Sequence, residues 1–167
     1  MLQIRNASID DYNRIMAIYR IAQDFMIESG NPNQWAHAYP GAEIIKQDIH
    51  DGVCKVIYDE SGLHGVFTLL EGEEPTYECI EDGEWLNDEP YVTIHRLASD
   101  GEVHGVFKRV SDYCKKRSRN VRADTHADNK IMQKQIEKND YIECGIIYVA
   151  DGSPRIAYHW KGSRGVI

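Results

Sequence analysis

Apolar positions along this chain change period several times, and each change marks an element. Leu2 and Ile4 alternate with polar neighbours, as in a short strand over residues 2–5. Ser8 then stands where an N-cap oxygen is useful, with Asp10 and Asp11 in a first helical turn that favours anions. Ile15, Ile18, Tyr19, Ala22, Phe25 and Met26 recur at helical spacing, and Ser29-Gly30 before Asn31-Pro32 closes this helix. Ile44, Ile45 and Ile49 mark a shorter amphipathic segment at 41–50. Val53 to Tyr58 and Leu63 to Leu70 are rich in β-branched and aromatic residues, and Asp59-Glu60-Ser61-Gly62 between them predicts a hairpin. Strand character returns at 91–99. Val103, Val106, Phe107, Val110, Tyr113 and Cys114 then form a helical stripe, closed by Lys115, Lys116, Arg117 and Arg119, cations suited to a helix C-terminus. A strand at 120–125 and a helix at 128–138, with Ile131, Met132 and Ile136 inward, come next. Strands at 141–149 and 155–160, joined across Asp151-Gly152, complete the pattern.

This order predicts an α/β domain with a central, mixed but mostly antiparallel sheet and helices on both faces. Residues 71–90 interrupt it with nine acidic residues and no basic one. Two readings stay open: a solvated insertion pinned by Ile80, Trp85 and Leu86, or an acidic lid beside a binding pocket. The length of 167 residues suits one domain, expected at 1–160 with a tail at 161–167. No apolar run approaches the roughly 20 residues of a membrane span, and the N-terminus lacks a secretion leader, so a cytoplasmic protein is expected. Cys54, Cys79, Cys114 and Cys144 are widely spaced, with no C-x-x-C pair for a metal, and read as reduced thiols. The net charge of −8 argues against nucleic-acid binding and favours the approach of cationic substrates, although acidity also serves solubility.

Candidate chemistry concentrates after the strand at 91–99. Ser99-Asp100-Gly101-Glu102-Val103-His104-Gly105 feeds directly into a helix, whose free N–H groups make an anion site, with glycines admitting a close backbone approach. Tyr91 to Ser99, then Glu102-Val103-His104-Gly105-Val106-Phe107 in the place of a Q/R-x-x-G-x-G/A loop, and Asp128-Asn129-Lys130-Ile131-Met132 followed by Glu137 to Tyr141, together resemble the GNAT acetyltransferase superfamily. Gln34-Trp35 with Tyr39-Pro40 is similar to a Q-W-x-x-x-Y-P stretch of many bacterial members. The resemblance runs from Met1 to Trp160. It implies a GNAT-like acyl-CoA N-acyltransferase fold, splayed between the fourth and fifth strands, with acetyl-CoA as co-substrate and no metal. Leu97, Ala98 and Ser99 would pair with the pantetheine arm; Val103, His104, Gly105 and Val106 would hold the pyrophosphate; Asn129 would line the same groove.

The chain departs from the family at Glu102 and Phe107 of the loop, at Ile136 where many members carry a tyrosine acid, and at Asp140 in the turn after the helix. An ammonium must lose a proton before it attacks a thioester, which calls for a base. His126 with Asp124, just after the fifth strand, are the candidates, against the plainer reading that Asp128 caps the helix and Asp124 pairs with an arginine. His95 and Arg96 fall on opposite faces of a regular strand, and one of them could face the acceptor; Trp35 and Tyr39 could wall the pocket and hold a cation by its face. The function expected is acetyl transfer to a primary amine, of a small molecule or of a protein, by direct attack in a ternary complex. The alternative is a catalytically inactive acyl-CoA-binding or interaction module of the same fold. A homodimer is the default expectation for such a domain.

Overall fold

Seven strands form one open sheet in this computed structural model, which describes residues 1–35 and 39–163. Residues 36–38, inside the Gln34 to Pro40 stretch, and 164–167, the end of the expected tail, lie outside the described residues. In chain order the elements are β1 (Gln3–Asn6), α1 (Tyr12–Glu28), α2 (Ala42–His50), β2 (Cys54–Asp59), β3 (Gly62–Glu71), β4 (Val92–Ser99), α3 (Val106–Lys115), β5 (Asn120–Thr125), α4 (Lys130–Lys138), β6 (Ile142–Tyr148) and β7 (Pro154–Lys161). Short 3-10 turns are added at Ile9–Asp11 and Pro75–Tyr77. The spatial order is β1-β2-β3-β4-β5-β7-β6. Neighbours are antiparallel except β4 and β5, which run parallel.

Strand alternation gives the sheet two apolar faces. Val121 and Ala123 of β5, Tyr158 of β7 and Ile94 of β4 pack with Phe107 and Val110 of α3 and Ile136 of α4. On the opposite face Ile15 and Ile18 of α1 and Ile45 of α2 pack on Val56 and Val66. Each such side chain contributes about 1.5–3 kcal/mol when fully buried. Among the described residues no helix is long and apolar enough to cross a membrane.

The acidic segment packs against the β7–β6 half of the sheet. Tyr77, Ile80 and Trp85 meet Tyr91, Ile147 and Ala157. Glu81 and Ile146 exchange two backbone hydrogen bonds, of 2.9 and 2.8 Å. Trp85 Nε1 donates to the Tyr77 carbonyl at 2.9 Å, and Leu86 N–H to His159 Nδ1 at 3.2 Å. The Arg122 guanidinium lies between Trp85 and Tyr91, 4.1 and 3.9 Å from their ring centroids. Approach is so close at Gly83 that a Cβ there would overlap the Cys144 carbonyl.

At the first cap Ser8 stands where expected, answered by Asp11, which accepts the Ser8 N–H at 2.8 Å and is held by Arg5 at 2.7 and 3.0 Å. Two other local expectations are corrected. Helix α3 starts at Val106, because Gly105 takes φ +80° and breaks the stripe; Val103 packs against the core from the preceding loop. Asn129, not Asp128, caps α4, its Oδ1 accepting the Met132 N–H at 3.0 Å.

Candidate active site

Strands β4 and β5 pair only at Val92–Val121 and Thr93–Arg122, then part. Beyond Thr93 the edge of β4 that faces β5 carries no ladder partner. At the same place β4 bulges. Ala98 pairs with Val66 and His95 with Thr68, so one extra β4 residue is accommodated, and Arg96 takes φ +50°. A left-handed conformation costs a residue with a Cβ about 1–2 kcal/mol, so something must hold it. From α1, Tyr19 donates its O–H to the Arg96 carbonyl at 2.8 Å. From α2, the buried Asp48 binds the Arg96 guanidinium through both carboxylate oxygens, at 3.0 and 2.8 Å, and also accepts the Thr68 hydroxyl at 2.7 Å. Arg96 donates once more, to the Tyr39 hydroxyl at 3.0 Å. The bulge therefore places Arg96 toward α2, and both it and His95 line the gap instead of alternating across a regular strand.

A cavity of about 460 Å³ fills the gap between the parted strands. It opens toward both faces of the sheet: Phe107, Met132 and Ile136 line it from the α3/α4 side, and Trp35, Tyr39 and Glu74 from the other. Asp124 points into it, since alternation along β5 sends Ala123 to the α3/α4 core and Asp124 the opposite way. Tyr77 donates its O–H to Asp124 Oδ2 at 2.6 Å. Burial raises the Asp124 carboxyl above its usual range, and the Tyr77 bond opposes this only in part. Burial and the Asp124 charge in turn push the Tyr77 phenol well up. His95 has no hydrogen-bond partner among the described residues, and burial together with Arg96 brings its imidazole down to about 4, so it is neutral at pH 7. Arg155, on β7 beside Asp124, donates to the carbonyls of Gln34 at 3.0 Å and Pro154 at 2.8 Å and to Ser153 Oγ at 3.0 Å.

The loop after β4 is anchored by a buried ionic cluster. Asp100 Oδ1 accepts the Glu102 N–H at 2.9 Å, while Oδ2 meets Arg14 Nη2 at 2.7 Å and His64 Nδ1 at 3.0 Å. The other ring nitrogen of His64 lies 2.7 Å from Ser61 Oγ and 3.0 Å from Asp59 Oδ1. Burial lowers the His64 pKa, but Asp100 and Asp59 more than offset it, so the imidazole sits above its ordinary value. Ser61, His64 and Asp100 touch in the order of a nucleophilic triad. Ser61 nevertheless gives its proton to Asp59 at 2.6 Å from an exposed hairpin tip, and none of the three lines the cavity. The cluster is an anchor. It delivers the chain to Gly105, after which the first turn of α3 has no side-chain cap on its N–H groups. Phe107 does not crowd this turn: it is turned inward, edge-on to Tyr141 with centroids 5.9 Å apart. Glu102 and His104 are exposed on the loop.

An acetyltransferase of the GNAT family from Streptococcus agalactiae aligns with 98% of this chain and 96% of its own, with a TM-score of 0.85 and 27% identity. The chain has the GNAT acetyltransferase fold. A GNAT-family acetyltransferase from Listeria monocytogenes shares it at TM-score 0.71 and 18% identity, over 96% of this chain and 94% of that one. So does the ribosomal-protein-S18-alanine N-acetyltransferase of Escherichia coli, at TM-score 0.63 and 14% identity, over 99% and 97%. No protein-family model matches the chain, and no curated protein matches it.

Within the GNAT fold the sequence-read residues divide. Leu97, Asp124, Asn129, His95, Arg96, Trp35 and Tyr39 line one cavity; Val103 to Val106 form the loop and helix start beside it. His126 does not line it. Its Nδ1 accepts the Asp128 N–H at 3.0 Å, and burial and Arg155 lower its pKa. Asn129 lines the groove, but both ends of its amide are engaged, Oδ1 at the α4 cap and Nδ2 on Gln34 Oε1 at 2.9 Å. Glu74, Tyr77 and Arg155 were missed by the sequence reading. Only the density of acid in 71–90 pointed toward the first two, and nothing in the strand pattern distinguished Arg155.

Proposed function

We propose that this protein moves an acetyl group from acetyl-CoA to a primary amine of a small molecule, by direct attack in a ternary complex. The observation that carries the reading is Asp124, a carboxylate raised in pKa and aimed into the gap between β4 and β5. The free β4 edge at Leu97 to Ser99 suits the amides of an extended arm, as unpaired strand edges do. The uncapped start of α3 suits the pyrophosphate. Phe107 turned inward leaves that turn clear, so the residues present fit the co-substrate.

Asp124 takes the proton of the incoming ammonium, and Tyr77 orients the carboxylate that receives it. A raised pKa brings this base nearer the working pH. As the C–N bond forms and the C–S bond breaks, charge on the thioester oxygen is met by a backbone N–H of the β4 edge. The departing thiolate needs no strong acid, its pKa being about 8–9, so Ile136 in place of a tyrosine is tolerated.

The test is release of free thiol from acetyl-CoA with an amine panel. Asp124→Asn is expected to lower kcat roughly a hundredfold or more while leaving acetyl-CoA affinity near that of the parent, and His126→Ala to stay within about twofold of it. Parent-like turnover by Asp124→Asn would remove the proposed base. Acetyl-CoA binding with no turnover of any amine would instead make the protein a non-catalytic acyl-CoA-binding module.

A further inference from the structure

The charges around the acceptor half of the cavity are unevenly satisfied. Its lining holds three carboxylates, Glu74, Asp124 and Asp151, and two guanidiniums, Arg96 and Arg155, with no lysine. Both guanidiniums are already engaged, Arg96 fully and Arg155 in part. Arg96 is bound bidentately by Asp48, and Arg155 donates to three oxygens of its own chain while lying in the field of Asp124 and Asp151. His95, neutral at pH 7, adds no positive charge. A carboxylate or phosphate on the acceptor would meet Glu74 as like charge and would have to draw Arg155 from the field of Asp124 and Asp151, a penalty in a partly desolvated site.

A cation meets the opposite. Asp124 Oδ1 has no hydrogen-bond partner among the described residues, Oδ2 being the atom held by Tyr77. Glu74 is fixed through Oε1 by the Thr76 N–H and hydroxyl, at 3.3 and 3.1 Å, which leaves Oε2 for a ligand. The Glu74 charge reaches Asp124 and helps raise its pKa, so the two carboxylates repel one another until something positive comes between them. Trp35 lines the same side. Met26, Leu70 and Val149 supply apolar wall for an alkyl stem.

We infer that the acceptor is a dication, an alkyl diamine or polyamine, with one amine beside Asp124 and the second ammonium held by Glu74. This rests on the acetyl-transfer reading above and narrows it to a substrate class. The reacting ammonium gives one proton to Asp124, its nitrogen bonds the acetyl carbon, the C–S electron pair leaves on the thiolate sulfur, and the surplus proton left on the acylated nitrogen passes to that sulfur, so that free thiol is released. The second ammonium stays charged throughout and serves only for binding.

Matched acceptors test this with the whole protein. Thiol release is measured with 1,4-diaminobutane, 1,6-diaminohexane, 1-aminobutane and 4-aminobutanoate, and binding of each by calorimetry in the presence of CoA. We expect kcat/KM for the better diamine to exceed that for 1-aminobutane by about tenfold, the worth of one hydrogen bond to a charged group, with 4-aminobutanoate poorest. Glu74→Gln is expected to cut the diamine-to-monoamine ratio by a similar factor. Equal or better use of 4-aminobutanoate, or an unchanged ratio in Glu74→Gln, overturns the dication site while acetyl transfer stands. Diamine binding that 4-aminobutanoate does not share, without turnover of either, upholds the site and removes acetyl transfer. Neither binding nor turnover of a diamine overturns both.

Discussion

Asp48→Ala should be among the most damaging single substitutions in the protein. Asp48 is 7% exposed and accepts N–H groups of Arg96 through both oxygens, together with the Thr68 hydroxyl at 2.7 Å. Alanine would leave the Arg96 guanidinium, its side chain 12% exposed, with the Tyr39 hydroxyl as its remaining side-chain partner. Removing one partner of a buried pair costs about 3–5 kcal/mol, because the other charge stays buried and uncompensated. Against a total stability of about 5–15 kcal/mol this is a large fraction. At this chain length it corresponds to a fall in Tm of about 6–20 °C, at roughly 2–4 °C per kcal/mol. The cost falls at the β4 bulge, so the affinity for acetyl-CoA should drop in the protein that remains folded. Thermal and urea denaturation followed by circular dichroism read the first effect, and calorimetric titration the second. The double substitution Asp48→Leu with Arg96→Met removes both charges and should recover most of the loss. A Tm within about 2 °C of the parent for Asp48→Ala alone would refute the claim that this pair holds the bulge.

Other outcomes are equally open to measurement. Gly105→Ala meets no atom within 4 Å but must adopt φ +80°, so it should cost about 1–2 kcal/mol and weaken acetyl-CoA binding; unchanged affinity would detach the loop from the co-substrate. The His64 pKa is raised on folding, so its stabilising contribution is complete below its unfolded value of about 6.5 and is lost as pH rises through the folded value. The urea midpoint should therefore fall on going from pH 6 to pH 9 by an amount that His64→Gln abolishes; an identical slope in the variant would deny the cluster its charge. Gly83→Ala drives a methyl group into the Cys144 carbonyl, and should expose the 72–86 segment to protease at concentrations that spare the parent; equal resistance would mean the backbone yields there.

Much of this was legible in residue order, and the exceptions share a cause. Element order, the Gly30 stop of α1, the 59–62 hairpin and the Gly105 loop each depend on neighbours within a few residues, and short-range patterns record them. The pairing of Asp48 with Arg96 joins positions 48 residues apart, and Tyr77 meets Asp124 across 47. No periodicity encodes either. Arg122 follows a basic helix end in the sequence, yet alternation along β5 turns it away from the face of Val121 and Ala123 and between two aromatic rings. His126 read as a base beside two carboxylates, because sequence adjacency hides the turn that takes its ring out of the cavity. The acidic segment divided the two readings offered for it: Ile80 and Trp85 pin it down, and Glu74 and Thr76 reach the cavity.

That segment also covers one otherwise exposed edge of the sheet. An open sheet has two rims onto which a foreign strand can zip, and such rims invite association and fibre growth. One rim here is β1, only 4 residues long. The other is β6, where Glu81 already occupies the donor and the acceptor of Ile146. Gly83 and Gly145 bring the two backbones so close that no side chain could wedge them apart. Proteolytic nicking between residues 72 and 84 would unmask an Ile- and Tyr-bearing rim open to pairing with a foreign strand. The stretch that carries Glu74 into the cavity thus also covers the rim on which a foreign strand would otherwise pair.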